Sequence, residues 1–387
     1  MSKKPRVVFI KTRISFGGAS ISGLELLSIL EGLGFEILII TGYFDETIHT
    51  FVSGKHTVKT FVLDVMDRYY QGHKSDNARE SEITKFILDN TKTEDYLIFS
   101  QPFLGDGVWY SKVTVSISHK RRCFLRMHDP IEDKENFLRL NPNTVGIPTT
   151  QIMSNWMSNL NKYITNFVVP SVVDARFLLS TKTKEELRKK YKISNNEFLI
   201  FQPTRVSARK NIPRAVILAD IIKKRSGKNV SLIIAGGAER GEYKADEKLR
   251  ITKLAKNLDF RELRFLNNAL PDTVRDYIKM ADLVTFFSKT ESWGRIPAES
   301  CIVGTPCVTT NYTDEHNNKV FEEVYGNFDL IIEDNPHKNS ISEKTIRKID
   351  RWNKNSIIWN SVKEKNFVLA KKYDKDEWKD FVKSIFQ

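Results

Sequence analysis

Two acidic residues eight positions apart, Glu291 and Glu299, stand in the string Phe287-Ser-Lys-Thr-Glu-Ser-Trp-Gly-Arg-Ile-Pro-Ala-Glu299, which runs on into Gly304-Thr-Pro306. Carboxylates near a helix start accept hydrogen bonds from neutral hydroxyls of the kind a sugar and a ribose carry. The backbone amides of Trp293, Gly294, Arg295 and Ile296 offer N–H groups to a phosphate at the same place. Upstream, Arg205 and Lys210 lie in Pro203-Thr-Arg-Val-Ser-Ala-Arg-Lys-Asn211. Two cations beside a helix N-terminus suit a pyrophosphate, which needs neutralising from several directions. Near the amino terminus, Gly17-Gly18 would either bring backbone close to a phosphate or simply allow tight strand–helix packing. Leu24 and Glu25 stand where a Walker loop needs Lys and Ser/Thr, and G-x-G-x-x-G is not spelled, which disfavours an NTPase and a standard dehydrogenase. His128-Asp129 follows a candidate strand, and His128 is taken as functional.

These side chains need a scaffold, and the apolar pattern supplies one. Val7–Ile10 reads as a short buried strand, followed by a helix with Leu26, Ile29, Leu30 and Leu33 on one face and a strand at 36–40. Further strands are expected at Thr60–Leu63, Asp95–Ser100, Cys123–Met127 and Ile164–Val169, with helices at Ala78–Asn90 and Gln151–Leu160. The pattern restarts near residue 195. Strands at Phe198–Gln202, Val230–Ala235, Glu262–Leu266, Asp282–Phe287 and Cys307–Thr309 alternate with helices at Asn211–Lys224, Glu242–Asn257 and Pro271–Met280 and a short helix from Ile296. Asn211 is read as a cap with Pro213 in the first turn. Such alternation predicts mostly parallel sheets covered on both faces. The charged stretch Thr181–Asn196 is expected to link the halves. Trp378, Phe381, Val382 and Ile385 form one stripe in a final helix over Lys371–Phe386 that must pack on something.

Composition narrows the class. With 387 residues, 40% of them hydrophobic, the chain can fill two or three cores, which excludes wholesale disorder. No apolar run is long enough to span a bilayer, and the first strand is too short for a signal-peptide core. Cys123, Cys301 and Cys307 have neither metal-ligand spacing nor an even count, so a reducing, cytoplasmic setting is expected. The net charge of +13 lies almost wholly after residue 170, which fits a compact anionic ligand better than a nucleic acid. No Asp-x-Asp follows a strand where a metal clamp would sit; Asp374-Lys-Asp376 reads as a cap of the last helix.

Taken together, these residues resemble the retaining GT-B-fold glycosyltransferases of family 4 (glycosyl transferases group 1). The string from Glu291 to Glu299 with its trailing Gly-Thr-Pro is similar to that family's E-x7-E signature. Arg205 and Lys210 have its Arg/Lys spacing, and Val169-Pro-Ser171 resembles its entry into the second domain. The likeness is good over about 165–310; before that, only Gly17-Gly18 and Met127-His-Asp129 match. It implies an α/β fold of two Rossmann-like domains facing across a cleft, over 1–170 and 171–370, with residues 371–387 as a helix crossing back to the first domain. It further implies transfer of a hexose from a UDP- or GDP-linked sugar to a glycan, lipid-linked or small hydroxyl acceptor, with retention and without cofactor or essential metal. Glu291 would bind donor-sugar hydroxyls, Glu299 the ribose, and Arg205 with Lys210 the diphosphate. Gly17 and Gly18 would approach that diphosphate, and His128 would face the sugar. The acceptor is expected near Phe103–Trp109 and the Asn141–Thr150 loop. Peripheral contact with a membrane stays open. The alternative is a catalytically degenerate protein of the same fold that binds nucleotide sugar or glycan. Arg295 after Gly294, Leu266-Asn267, and the lack of glycines after Thr310 depart from the family and bear on donor choice.

Overall fold

The structure is a computed structural model that describes residues 5–14, 18–44, 57–60, 77–102, 108–129, 131–180, 182–236, 242–267 and 269–386. It divides into two units: Met1–Val173 with Lys375–Gln387, and Asp174–Asp374.

The first unit is built on parallel strands β1 (Arg6–Ile14), β2 (Glu36–Phe44), β3 (Thr57–Thr60), β4 (Tyr96–Ser100), β5 (Cys123–Met127), β6 (Val145–Pro148) and β7 (Thr165–Asn166). Their spatial order is β3-β2-β1-β4-β5-β6-β7, so the direction of growth reverses between β1 and β4. Helices α1 (Gly18–Gly32), α2 (Asn77–Asn90), α3 (Val108–Ser118), α4 (Lys134–Leu138) and α5 (Gln151–Leu160) connect them. The strands alternate between two cores. Val8, Ile10, Leu38, Ile40, Leu97 and Phe99 enter one, and Val7, Phe9, Ile37, Ile39 and Ile98 enter the other. A strand buried on both faces must be apolar at nearly every position, which is why these segments are legible as continuous runs.

A cation lies deep inside this unit. Arg126 of β5 is completely buried, and its guanidinium donates to the carbonyls of Val169, Pro170 (2.9 Å) and Ile147 (3.4 Å) and to the Ser22 hydroxyl (3.1 Å). It therefore joins β5, β6, α1 and the strand exit at 169–170 through groups that would otherwise be buried without partners. The Ser171 hydroxyl adds a 2.8 Å bond to Ser22.

The second unit repeats the scheme with β8 (Glu197–Gln202), β9 (Asn229–Ile234), β10 (Leu263–Phe265), β11 (Leu283–Phe286), β12 (Cys307–Thr310) and β13 (Ile331–Glu333), in parallel order β10-β9-β8-β11-β12-β13. Its helices are α6 (Ala175–Leu179), α7 (Lys184–Lys190), α8 (Ile212–Ser226), α9 (Glu242–Asn257), α10 (Pro271–Met280), α11 (Ile296–Val303), α12 (Val320–Tyr325), α13 (Glu343–Lys354) and α14 (Ser356–Lys371). Here the order reverses between β8 and β11. The chain then returns to the first unit as a 3₁₀ turn, Lys375–Trp378, and α15 (Lys379–Phe386). Phe386 stacks on Phe124 at 4.5 Å between ring centroids, and Val382 and Ile385 join the same core as α1.

Several expectations need correcting. Thr181–Asn196 is no linker: it lies inside the second unit and holds α7, started by a Thr183–Glu186 capping box. Arg188 of that helix donates to Asp282 at 2.5 Å, and the same carboxylate takes the Leu199 amide at 2.8 Å. The Asn141–Thr150 loop contains β6, whose signal is short and interrupted by Gly146 and Pro148. The strand expected at Ile164–Val169 is confined to Thr165–Asn166; of the strand expected at Thr60–Leu63, Thr60 is the last residue of β3 (Thr57–Thr60) and 61–63 lie outside the described residues. The single helix expected over Lys371–Phe386 is the last residue of α14, a 3₁₀ turn at Lys375–Trp378 and α15. Buried Asp374 instead accepts from the amide of Ala175, the first residue of α6, at 3.2 Å. Phe381 of the apolar stripe stays substantially exposed.

Replacing Arg126 with Met should strand two or more buried carbonyls and lower stability by about 3 kcal/mol, read from urea unfolding.

Candidate functional site

The loops that leave the carboxyl ends of β8, β11 and β12 are sewn together by backbone. The amide of Lys289 donates to the Arg209 carbonyl at 2.8 Å, and that of Glu291 to the Thr313 carbonyl at 2.9 Å. Thr290 and Thr313 form an isolated parallel bridge. Beneath them Gln202 holds Thr204 (2.8 Å) with its amide nitrogen and accepts from Thr285 (2.6 Å) with its oxygen. Short parallel strands thus deliver three loops to the reversal point, the place where open parallel sheets take ligands.

Lys210 and Glu291 meet there as a direct ion pair, each side chain only 10% exposed. Arg209 is a second cation, 3.4 Å from the other carboxylate oxygen, and it also donates to the Thr290 carbonyl at 2.7 Å. Burial alone would raise the Glu291 carboxyl, but Lys210 and Arg209 override it and hold it below the ordinary range. Burial lowers the Lys210 ammonium despite the pull of Glu291. Of the cations picked out in the sequence, Arg205 lies on the exposed side of the same loop. Arg209 was passed over; its only signal was position, one residue before Lys210. Asn211 stands at the N-cap of α8 as expected, with Pro213 in the first turn, but its backbone is left-handed (φ 46°) and its side chain makes no cap bond: its amide group donates instead to the Pro336 carbonyl at 3.3 Å.

Another residue that sequence reasoning missed is Gly236, after β9. A Cβ there would overlap the backbone of Thr204 and Arg205, so only glycine lets this loop lie against the next strand. The second missed feature is a pair of tyrosines. The Tyr312 hydroxyl donates to the Trp293 carbonyl at 2.7 Å, and the Tyr325 hydroxyl to the Gly294 carbonyl at 2.5 Å. Burial raises both phenols well above their ordinary value, so they serve as neutral donors. They fix a turn in which Gly294 is left-handed (φ 75°) and α11 begins two residues later. Trp293 itself is buried, edge-on to Tyr325 (5.6 Å) and Tyr373 (5.0 Å). Ile296 opens α11 and Glu299 lies in its first turn. The Arg295 guanidinium donates to Glu299 at 3.0 Å, an i,i+4 pair with both side chains mostly covered.

The remaining expected residues belong to the first unit. Gly17 lies outside the described residues, and Gly18 is the first residue of α1. His128, just after β5, is 3% exposed, and Asp129 accepts from the Gln101 amide at 2.8 Å. Of the stretch expected at the acceptor, 103–107 lie outside the described residues. Trp156 packs partly buried against the first-unit core. No helix among the described residues is long and apolar enough to cross a membrane.

Gly294→Ala would force a side chain into the left-handed region and onto the Tyr312 ring, so a loss of about 3 kcal/mol in thermal or urea unfolding is expected. The Glu291 carboxyl, depressed in the folded state, contributes stability above the ordinary carboxylate range that is lost as pH falls through its folded value. In Lys210→Met the desolvation of Glu291 has one cation less to oppose it, its pKa rises, and the acid loss of stability should begin at higher pH in urea titrations than in the parent.

Comparison with known proteins follows this geometry. No curated protein matches the sequence. Solved structures match along nearly the whole chain at low identity. A glycosyltransferase from Rickettsia africae superposes with TM-score 0.74 and 14% identity, covering 99% of this chain and 98% of that one. Anabaena HepE, solved in complex with UDP and glucose, gives TM-score 0.74 and 14% identity over 98% and 99% of the two chains. The trehalose-6-phosphate synthase OtsA gives TM-score 0.72 and 13% identity over 98% of each chain. These likenesses show the fold, which is GT-B. The family model described as glycosyl transferases group 1 matches residues 183–356, the span that carries Arg205, Lys210, Glu291 and Glu299. The match to glycosyl transferases group 1 thus falls within the second unit of this GT-B chain.

Proposed function

We propose that the protein transfers a hexose from a UDP- or GDP-linked sugar to a hydroxyl acceptor, with retention of anomeric configuration and without an essential metal. The observation that carries this reading is the buried Lys210–Glu291 pair flanked by Arg209 where β8 and β11 part. An ionised carboxylate held inside the fold accepts hydrogen bonds from donor-sugar hydroxyls. Arg205, Arg209 and Lys210, with the amides at the start of α11, neutralise the diphosphate as negative charge builds on the leaving group. Positive side chains in this number supply what a metal clamp would. Glu299 takes the ribose hydroxyls, Gly17 and Gly18 let the first loop approach the diphosphate, and His128 attends the donor sugar. The departing phosphate helps deprotonate the acceptor on the same face, which gives retention. The UDP and glucose bound by HepE support the choice of donor class.

A second reading is a degenerate protein that binds nucleotide sugar or glycan without turnover. The Arg295–Glu299 pair favours it, because it already occupies one oxygen of the carboxylate assigned to ribose.

Screening purified protein for hydrolysis of UDP- and GDP-hexoses, then adding candidate acceptors in the presence of a chelator, separates the two. Transfer with retained configuration is expected. Glu291→Gln, Arg205→Ala and Lys210→Ala should each lower kcat/KM by roughly 10²–10³-fold, as loss of a transition-state hydrogen-bond donor does. Full activity in all three would sink the site assignment, and binding without any turnover would favour the second reading.

A further inference from the structure

The loop between β12 and α12 is exposed, yet it closes on a buried carboxylate. Asp314 is 5% exposed, while Glu315, His316, Asn317, Asn318 and Lys319 all face solvent. The Asp314 Oδ1 accepts from the amides of His316 at 2.9 Å and Asn318 at 2.8 Å, and its Oδ2 from the Asn318 side-chain amide at 2.7 Å. Its own amide donates to the Asn318 carbonyl at 3.0 Å, and the Asn317 amide donates to the Asp314 carbonyl at 3.1 Å. No glycine lies between Asn311 and Tyr325, so Asn317 takes the left-handed position itself (φ 63°). The loop's own cation, Lys319, pairs with Glu322 at 3.2 Å rather than with Asp314. Burying a carboxylate is costly unless N–H groups satisfy it, and here three of them do. A connection needed only to join a strand to a helix could be made from exposed polar residues without that cost.

What the closed loop fixes is the residue before it. Thr313 stands between Asp314 and Tyr312, whose side chain is completely buried and whose carbonyl accepts from the Phe321 amide at 3.3 Å. Both neighbours of Thr313 are therefore held. Thr313 in turn carries the loop after β11: its carbonyl accepts the Glu291 amide at 2.9 Å, and it bridges to Thr290. Lys210 and Arg209 set the Glu291 side chain, whereas Thr313 sets its backbone.

We propose that Asp314 is a positioning residue for Glu291, closing the loop over 314–318 so that Thr313 holds the Glu291 backbone in place before any ligand arrives. The proposal rests on the proposed function, in which the Glu291 carboxylate takes donor-sugar hydroxyls. A carboxylate fixed in advance needs no ordering when the sugar meets it, and that saving appears in the rate. The cations assigned to the diphosphate come from the loop after β8 instead. Asp314 therefore bears on the hexose and not on the nucleoside diphosphate.

The test compares the full-chain parent with Asp314→Ala, Asp314→Asn and Asn318→Ala. Hydrogen exchange of the Glu291 amide, followed by NMR, is read against that of Leu232 in β9, which reports whether the fold is intact. Asp314→Ala should speed Glu291 exchange about tenfold with Leu232 unchanged, and Asn318→Ala, which removes one bond of the three, should move it part of the way. Asp314→Asn keeps an oxygen for the two backbone amides and should stay near the parent. In hydrolysis of UDP- or GDP-hexose, Asp314→Ala should lower kcat/KM about tenfold while UDP or GDP alone binds as it does to the parent. An aspartate with a structural role alone would weaken both alike or neither. Unchanged Glu291 exchange in Asp314→Ala, equal losses in Asp314→Asn and Asp314→Ala, or equal weakening of nucleotide and nucleotide-hexose each overturns the proposal. A parent that turns over neither donor sinks the proposed function, and the exchange measurement still decides whether Asp314 fixes Glu291.

Discussion

An ammonium and a carboxylate withdrawn from water cannot each stay charged alone, and in this protein Lys210 and Glu291 keep each other ionised. Much else in the second unit serves that pair. The backbone bonds from Lys289 to Arg209 and from Glu291 to Thr313 bring together residues from three separate loops. Phe286, at the end of β11, lies under the lysine at 5.3 Å from its ring centre, which covers the pair on its sheet side. Any ligand that takes a share of either charge does so at a point already organised by the other.

The same economy shapes the turn that follows. Gly294 adopts a left-handed conformation that costs other residues strain, and two buried phenols hold the carbonyls of Trp293 and Gly294. Their hydroxyl protons are spent on those carbonyls, which fixes the turn that leads into α11. Helix-start amides held in a rigid turn need no reorganisation when an anion arrives, which is the advantage of building a phosphate site from backbone. Arg295 is the unusual element, a cation at the positive end of a helix dipole, tolerated because Glu299 lies one turn away.

Both units are parallel sheets with a reversal of strand order, but they spend their polar groups differently. The second concentrates cations around one carboxylate. The first buries Arg126 as a structural tie, bonded to three carbonyls and to the Ser22 hydroxyl. The near-neutral charge of the first 170 residues against the basic remainder reflects this division.

What the sequence determined by itself was short-range. Strands such as Cys123–Met127 and helices such as Gln151–Leu160, Glu242–Asn257 and Pro271–Met280 follow from periodicity and from breakers within a few residues. So does the order of Glu291, Gly294 and Glu299 along one turn and helix. The tertiary structure decided which groups meet. Lys210 and Glu291 are 81 residues apart, and no local pattern says that they bond each other rather than each facing a ligand alone. Arg209, Gly236, Tyr312 and Tyr325 acquire their tasks only when loops from different strands converge. The dense charges of Thr181–Asn196 suggest a linker; a local capping box starts α7 there, and Asp282, far along the chain, takes up Lys184 and Arg188 and ties the helix to the second unit. Local propensity is written in neighbours, whereas burial, and with it the partner each charge requires, is set by the whole fold.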